Sequence, residues 1–141
     1  MEFVVLVGSD LSRMDLLMAD MSFADLRDAD LSYSDLRGVT LRRANLTGAN
    51  LLGVQLSPIN IIGSNVQRWG AHLEHARLVR AKLRGVDLSH SHLQHADLTE
   101  ADLRGADLTG ANLQDADLTD ADLRGANLTD ADLRGAIGHA P

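Results

Sequence analysis

A hydrophobic residue returns every five positions through almost the whole chain, and a period of five belongs to neither ordinary secondary structure. Leu, or Ile, Val or Met in its place, fills twenty-six such positions, from Leu6, Leu11, Leu16, Met21 and Leu26 on to Ile61 and Val66, then from Leu73 without a gap to Leu133. Two residues before nearly every one stands Ala, Ser or Val, as in Ala44-Asn45-Leu46-Thr47-Gly48 and Ala121-Asp122-Leu123-Arg124-Gly125. On an α-helix, which turns about 100° per residue, a five-residue step rotates each successive Leu by roughly 140° and scatters the set around the axis. On a flat strand the same step sends consecutive Leu to opposite faces. A chain that turns a corner once per repeat keeps every Leu and every small residue inside. The repeat therefore predicts an all-β solenoid.

The unit small-polar-Leu-polar-polar resembles the Ala-(Asp/Asn)-Leu-X-X consensus of the pentapeptide repeat proteins, over residues 4 to 136. The resemblance implies a right-handed quadrilateral β-helix with about twenty residues per coil, about six to seven coils in all and no large helices. The central Leu and the preceding small residue would stack in the core, with Leu26, Leu46, Leu83, Leu103 and Leu123 in that stack. Gly at the last repeat position, as at Gly38, Gly48 and Gly85, fits corners that require a positive φ.

Composition agrees with a single solenoid domain over residues 1–141. Aromatic residues make up 3% of the chain, so Leu and Ala must supply nearly all the interior, and stability comes from stacking neighbours rather than from one large core. The chain has no Cys, which excludes disulfides and thiol chemistry and fits a cytoplasmic protein. Phe3 to Val7 is too short to span a membrane and lacks the flank of a signal peptide, so it reads as the first strand. The register slips once, at about residues 67–72, separating repeat blocks 4–66 and 71–136. Val66 and Leu73 are seven apart, and two extra residues in Gln67-Arg68-Trp69-Gly70 predict a bulge or small loop at one corner. Arg68 and Trp69, the only Trp, are candidate partner contacts, since an exposed Trp is a frequent binding hot spot; the alternative is a packing defect left by joining two blocks. Leu17, Met18, Phe23, Tyr33, Leu52 and Ile62 fall at outward positions and would form an apolar patch only if they share a side.

The net charge of −7 is unevenly spread. Residues 1–36 hold eight acids and two bases, 37–84 one acid and eight bases, and 85–141 eleven acids and three bases. Asp97, Asp102, Asp107, Asp117, Asp122 and Asp132 all directly precede a repeat Leu and so project in rows. Rows of carboxylates on a narrow rod can imitate duplex phosphates. Asp at this position also bonds local backbone at turns, so the acidity can follow from the fold alone.

Two function classes follow. The preferred one is a non-enzymatic scaffold or protein-interaction module whose partner the sequence does not name, able to form a homodimer through a solenoid end, where neither terminus supplies an obvious cap. The alternative, which the resemblance implies, is a DNA mimic that binds DNA gyrase or topoisomerase and inhibits or protects it, with Asp97, Asp102, Asp117 and Asp122 as contacts. The basic belt of Arg37, Arg42, Arg43, Arg68, Arg77, Arg80, Lys82 and Arg84 interrupts such mimicry. Direct nucleic-acid binding, a membrane contact, cofactors and catalytic residues are not expected, as there is no phosphate-binding loop, no Cys nucleophile and no concave pocket on a filled rod. At the coil length implied by the resemblance, His72 stacks beneath His92 and His75 beneath His95. These four are candidate metal ligands for Zn²⁺ or Ni²⁺, set against two plain stacked ladders with no carboxylate support in view. Arg84, Arg104 and Arg124 should form one column beside Lys82, Asp102 and Asp122.

Overall fold

Nearly every described repeat closes a corner with one backbone bond. The carbonyl of the central Leu accepts the amide three residues on, as in Ser9 to Leu6 at 3.1 Å and Ala101 to Leu98 at 3.0 Å. The residue two after the Leu takes a positive φ, 59° at Tyr33, 57° at His95 and 67° at Gly85, and this combination is a type II turn. Left-handed backbone costs a residue with a Cβ about 1 kcal/mol or more. Fourteen described non-Gly residues nevertheless adopt it. Twelve of them have their own amides tied to the neighbouring coil, as Tyr33 N–H is to Leu52 O at 3.0 Å, so the ladder over-determines the strained angle there.

The structure, a computed structural model, describes residues 3–61 and 67–138, with side chains at 3–59 and 70–138. Bridge partners lie twenty residues apart in parallel register, Val5 with Asp25 and Asp25 with Asn45, so four corners make one coil of a right-handed quadrilateral β-helix. Along each wall three backbone bonds join a coil to the next. In the first wall these are Leu6 N to Asp25 O, Gly8 N to Arg27 O and Asp25 N to Val4 O, at 2.8–2.9 Å. The first wall carries Leu6, Leu26, Leu46, Leu78, Leu98 and Leu118; the second carries Leu11, Leu31, Leu51, Leu83, Leu103 and Leu123. The third runs through Leu16, Leu36, Leu56, Leu88, Leu108 and Leu128, and the fourth through Met21, Leu41, Leu73, Leu93, Leu113 and Leu133. The expected core residues are thus interior, but they belong to two columns. Leu26 and Leu46 continue into Leu78, whereas Leu83 and Leu103 stack over Leu51, and Leu123 above them is only partly buried.

The reason is that the register break is larger than two residues. Below it, partners are offset by twenty; across it Thr40 pairs with His72, Asn45 with Arg77 and Asn50 with Lys82, an offset of thirty-two. Leu56 is the last buried Leu before the break and Leu73 the first after it, with twelve residues beyond the usual step of five. Strand β1 (Ile59–Ile61) and strand β2 (Gln67–Trp69) pair antiparallel, Ile59 with Trp69, as a hairpin leaving the third wall and rejoining the fourth. Twelve and two leave the same remainder on division by five, so the periodicity registers a hairpin and a bulge alike. The expected bulge or small loop of two residues at one corner is thus corrected in size to a hairpin insertion of twelve. The side chains of Ile61, Ile62, Val66, Arg68 and Trp69 lie outside those described. Among the described residues no helix is long and apolar enough to cross a membrane.

The outward apolar residues do not share a side. Tyr33 and Leu52 adjoin on the second wall, Leu17 and Met18 lie on the third, and Phe23 on the fourth packs its ring 5.8 Å from Phe3. Inside, the small position is Ala or Val except where Ser34 and Ser91 are buried. Ser34 Oγ donates to Leu31 O at 2.5 Å, whereas Ser91 Oγ has no partner among the described residues. A buried orphan hydroxyl costs about 1–3 kcal/mol. Ser91→Ala is expected to raise the urea-unfolding free energy by about 1 kcal/mol, and Ser34→Ala to leave it unchanged or lower it. The corners make a second test. An added Cβ at Gly85 meets nothing within 4 Å, so Gly85→Ala should cost only the backbone strain of about 1 kcal/mol. At Gly53 the same atom lies 2.6 Å from Tyr33 Cε1, and Gly53→Ala should show the larger loss in thermal melting.

Candidate functional site

The rod offers walls rather than a cleft, so its chemistry lies in columns of outward side chains. The position before each Leu faces out, and when it is Asp or Asn its oxygen folds back onto the amide two residues on. Asp97 Oδ1 accepts Thr99 N–H at 3.2 Å and Thr99 Oγ1 at 2.7 Å, and Asp117 Oδ1 accepts Thr119 N–H at 2.9 Å. These are local turn bonds, the role short polar side chains take at corners. The four expected contact acids then divide into two kinds. Asp102 holds Arg104 through Nε at 2.7 Å and Nη2 at 2.6 Å, and Asp122 holds Arg124 at 2.8 and 2.6 Å. Those guanidinium bonds depress both carboxyls, Asp122 to about 2. Asp97 and Asp117 carry no guanidinium. They sit one above the other on the first wall, with Glu100 and Asp120 at the next corner.

The bases are distributed oppositely. The Asp-Leu-Arg repeats satisfy Arg27, Arg37, Arg104, Arg124 and Arg134 within their own unit, each 2.6–2.7 Å from its Asp. Arg42 reaches Glu74 at 3.2 Å, and Arg43 lies 5.9 Å from the centre of the Phe23 ring. The fourth coil differs. Arg77 and Lys82 stand where Asp or Asn stands above and below them, and among the described residues Arg77, Arg80, Lys82 and Arg84 have no ion pair. Asp102, one coil up, is turned to Arg104 instead. The expected Arg84, Arg104 and Arg124 column forms, and with Gly105 it lines a shallow open depression.

The histidines stack as the coil length requires. The rings of His72 and His92 are 4.6 Å apart at 17°, and those of His75 and His95 are 4.7 Å apart at 11°. Carboxylate support, unexpected from the sequence, stands beside the first pair: Glu74 Oε1 is 3.1 Å from His72 Nδ1, and Arg42 Nη2 lies 3.3 Å from the same nitrogen. The signal was present, because Glu74 is the only acid in residues 37–84 and lies two positions after His72, on the same outward side of one wall. Burial alone would raise the Glu74 carboxyl, but its own backbone amide, His72 and Arg42 together hold it below the usual range. Among the described residues the carboxylate beside the second pair is Asp115, 3.9 Å from His95 Nδ1 at an exposed corner.

The sequence model of the family described as pentapeptide repeats matches residues 2–32, 24–60, 70–105 and 101–137, passing over 61–69 in the hairpin. Among solved structures, a trypsin-treated variant of QnrB1, a plasmid-mediated fluoroquinolone resistance protein, aligns over 99% of this chain and 86% of that one, at 22% identity and a TM-score of 0.65. Full-length QnrB1 aligns over 94% and 90%, at 22% identity and a TM-score of 0.55. At that identity the likeness shows the shared fold. HetL from Nostoc sp. strain PCC 7120, a pentapeptide repeat protein involved in heterocyst differentiation regulation, is 33% identical over 97% of this chain and 71% of that one, with a TM-score of 0.40. No curated protein matches the chain.

Partial burial, and then the charge of neighbouring His72, push the His92 imidazole below its ordinary 6.5. The fold thus favours neutral His92, and the stability this lends is complete above the ordinary imidazole range and lost as pH falls below it. Glu74 draws the other way and Arg42 the same way as His72. The urea midpoint is expected to fall between about pH 8 and pH 5.5 by an amount worth about 1 kcal/mol or less, given solvent screening, and His92→Asn should shrink that difference.

Proposed function

Since the chain belongs to the pentapeptide repeat family, we propose that it is a non-enzymatic scaffold that holds an acidic protein surface against the basic belt of its fourth coil. The observation that carries this reading is the contrast between the two signs of charge. Acids before a Leu are engaged by the turn they close or by the Arg two residues on, whereas Arg77, Arg80, Lys82 and Arg84 have no ion pair among the described residues. An unneutralised patch steers association and gives specificity to a partner of opposite charge. The interior supports binding over catalysis, because Leu and Ala fill it and the walls present ladders. Self-association through a solenoid end belongs to the same reading. Leu6, Leu11, Leu16 and Met21 are only partly buried in the first coil, and light scattering of the purified chain measures it.

A second reading, a DNA mimic acting on gyrase, is favoured by one observation. On the first wall Asp97, Glu100, Asp117 and Asp120 form an acidic strip with no ion pair to a base among the described residues. It is narrower than the rows of Asp suggest, since Asp102 and Asp122 are held by Arg104 and Arg124.

A supercoiling assay with purified gyrase, with and without a quinolone, separates the two. The scaffold reading expects no effect, together with loss of partner binding in an Arg77→Ser, Arg80→Ser, Lys82→Ser, Arg84→Ser variant that melts as the parent does. Inhibition or protection that disappears in Asp97→Asn, Asp117→Asn but survives the belt variant would replace it with the mimic.

A further inference from the structure

We propose that His72, Glu74 and His92 form a binding site for a single first-row divalent transition ion of the Zn²⁺ class, on the fourth wall where the third and fourth coils meet. The solenoid brings the three together. His72 and Glu74 flank Leu73 and face out on the same side, and the parallel bridge of His72 to His92 sets the second imidazole directly above the first. One nitrogen or carboxylate oxygen from each lies within 4.8 Å of the others, and all three residues are half-buried. Two imidazoles and a carboxylate are ligands that suit Zn²⁺, and such a three-ligand set leaves a coordination position open. Around tetrahedral Zn²⁺, with bonds of about 2.0–2.1 Å, ligand atoms stand roughly 3.4 Å apart, so closure needs rotation of the two stacked rings and a shift of about 1 Å.

Two features of the surroundings point to a cation here rather than to simple stacking. The first is Arg42, whose guanidinium reaches across from the second coil to 3.2 Å from Glu74 Oε1 and 3.3 Å from His72 Nδ1. It shows that the cluster already attracts positive charge, and with its side chain 54% exposed it can swing away when a smaller, more highly charged ion arrives. The second is Gln94, two residues past His92 and in the same row as Glu74 one coil up, whose Oε1 is buried without a hydrogen-bond donor among the described residues. A buried acceptor lacking a donor in a native fold calls for a water or an ion. The His75 and His95 pair has the same ring spacing, but its carboxylate, Asp115, lies 3.9 Å away at an exposed corner, and it serves as an internal control.

Isothermal titration of the folded chain with Zn²⁺ at neutral pH tests the site. The expected result is one ion per chain, with affinity falling at least about tenfold in His92→Asn and in Glu74→Gln, unchanged in His75→Asn, His95→Asn, and tighter in Arg42→Gln, where no guanidinium competes. Melting curves recorded without metal identify any variant that fails to fold, and the two independent ligand variants keep the test intact if one does. The proposal is overturned by absence of binding to the folded chain, by full affinity in both ligand variants, by a loss that follows His75 and His95 instead, or by weaker binding in Arg42→Gln.

Discussion

The bond from the amide of the small residue back to the Leu carbonyl three positions earlier governs this rod. It forces the chain through a left-handed residue once in five, and that residue then presents its own amide to the coil beside it. Corner and ladder are therefore one cooperative unit. A corner without a neighbouring coil would have only its local bond to hold a positive φ, and a ladder without corners would be a flat sheet with no enclosed interior. The Leu and Ala columns follow from this geometry. They fill a cross-section the backbone has already fixed, which is why residues of so few kinds suffice and why Ser91 stands out as a buried hydroxyl with nothing to bond among the described residues.

The same geometry decides which charges are available to a partner. An Asp before Leu finds a backbone amide within reach at every corner, and when Arg follows the Leu it also finds a guanidinium. Acidity in this chain is to a large extent the chemistry of turning. Bases at the same position have no such outlet, because an amide donates and so does a cation. Substituting Arg77 and Lys82 for Asp therefore removes a local bond and leaves a charge facing solvent. A net charge of −7 thus hides a surface whose most available charges include a positive band.

Most of this was legible in the sequence, and what was not has a specific cause. The period of five gave the solenoid and the positive-φ corners, the resemblance supplied four walls, and together they placed the stacked His pairs and the Arg84 column correctly. The break was sized wrongly because periodicity reports length only modulo five, and with the size went the column to which Leu83 belongs. Glu74 does not show in a comparison of residues twenty apart, because it supports His72 along one wall, where residues on either side of a Leu face out together, and not from the coil above or below. Which acids are paired with Arg was readable too, from the triplet Asp-Leu-Arg, once the turn geometry placed the two side chains side by side.

The way the hairpin leaves and rejoins the rod bears on how such a chain can change length. A segment that departs from one corner and returns there adds mass without turning anything above it, whatever its size. A whole extra repeat does the reverse. It advances every later coil by a quarter of a revolution, so that a histidine column built for one side would find itself beside a different set of neighbours. Growth by repeats therefore reshuffles the surface like the rings of a combination lock, and growth by excursion leaves the combination untouched.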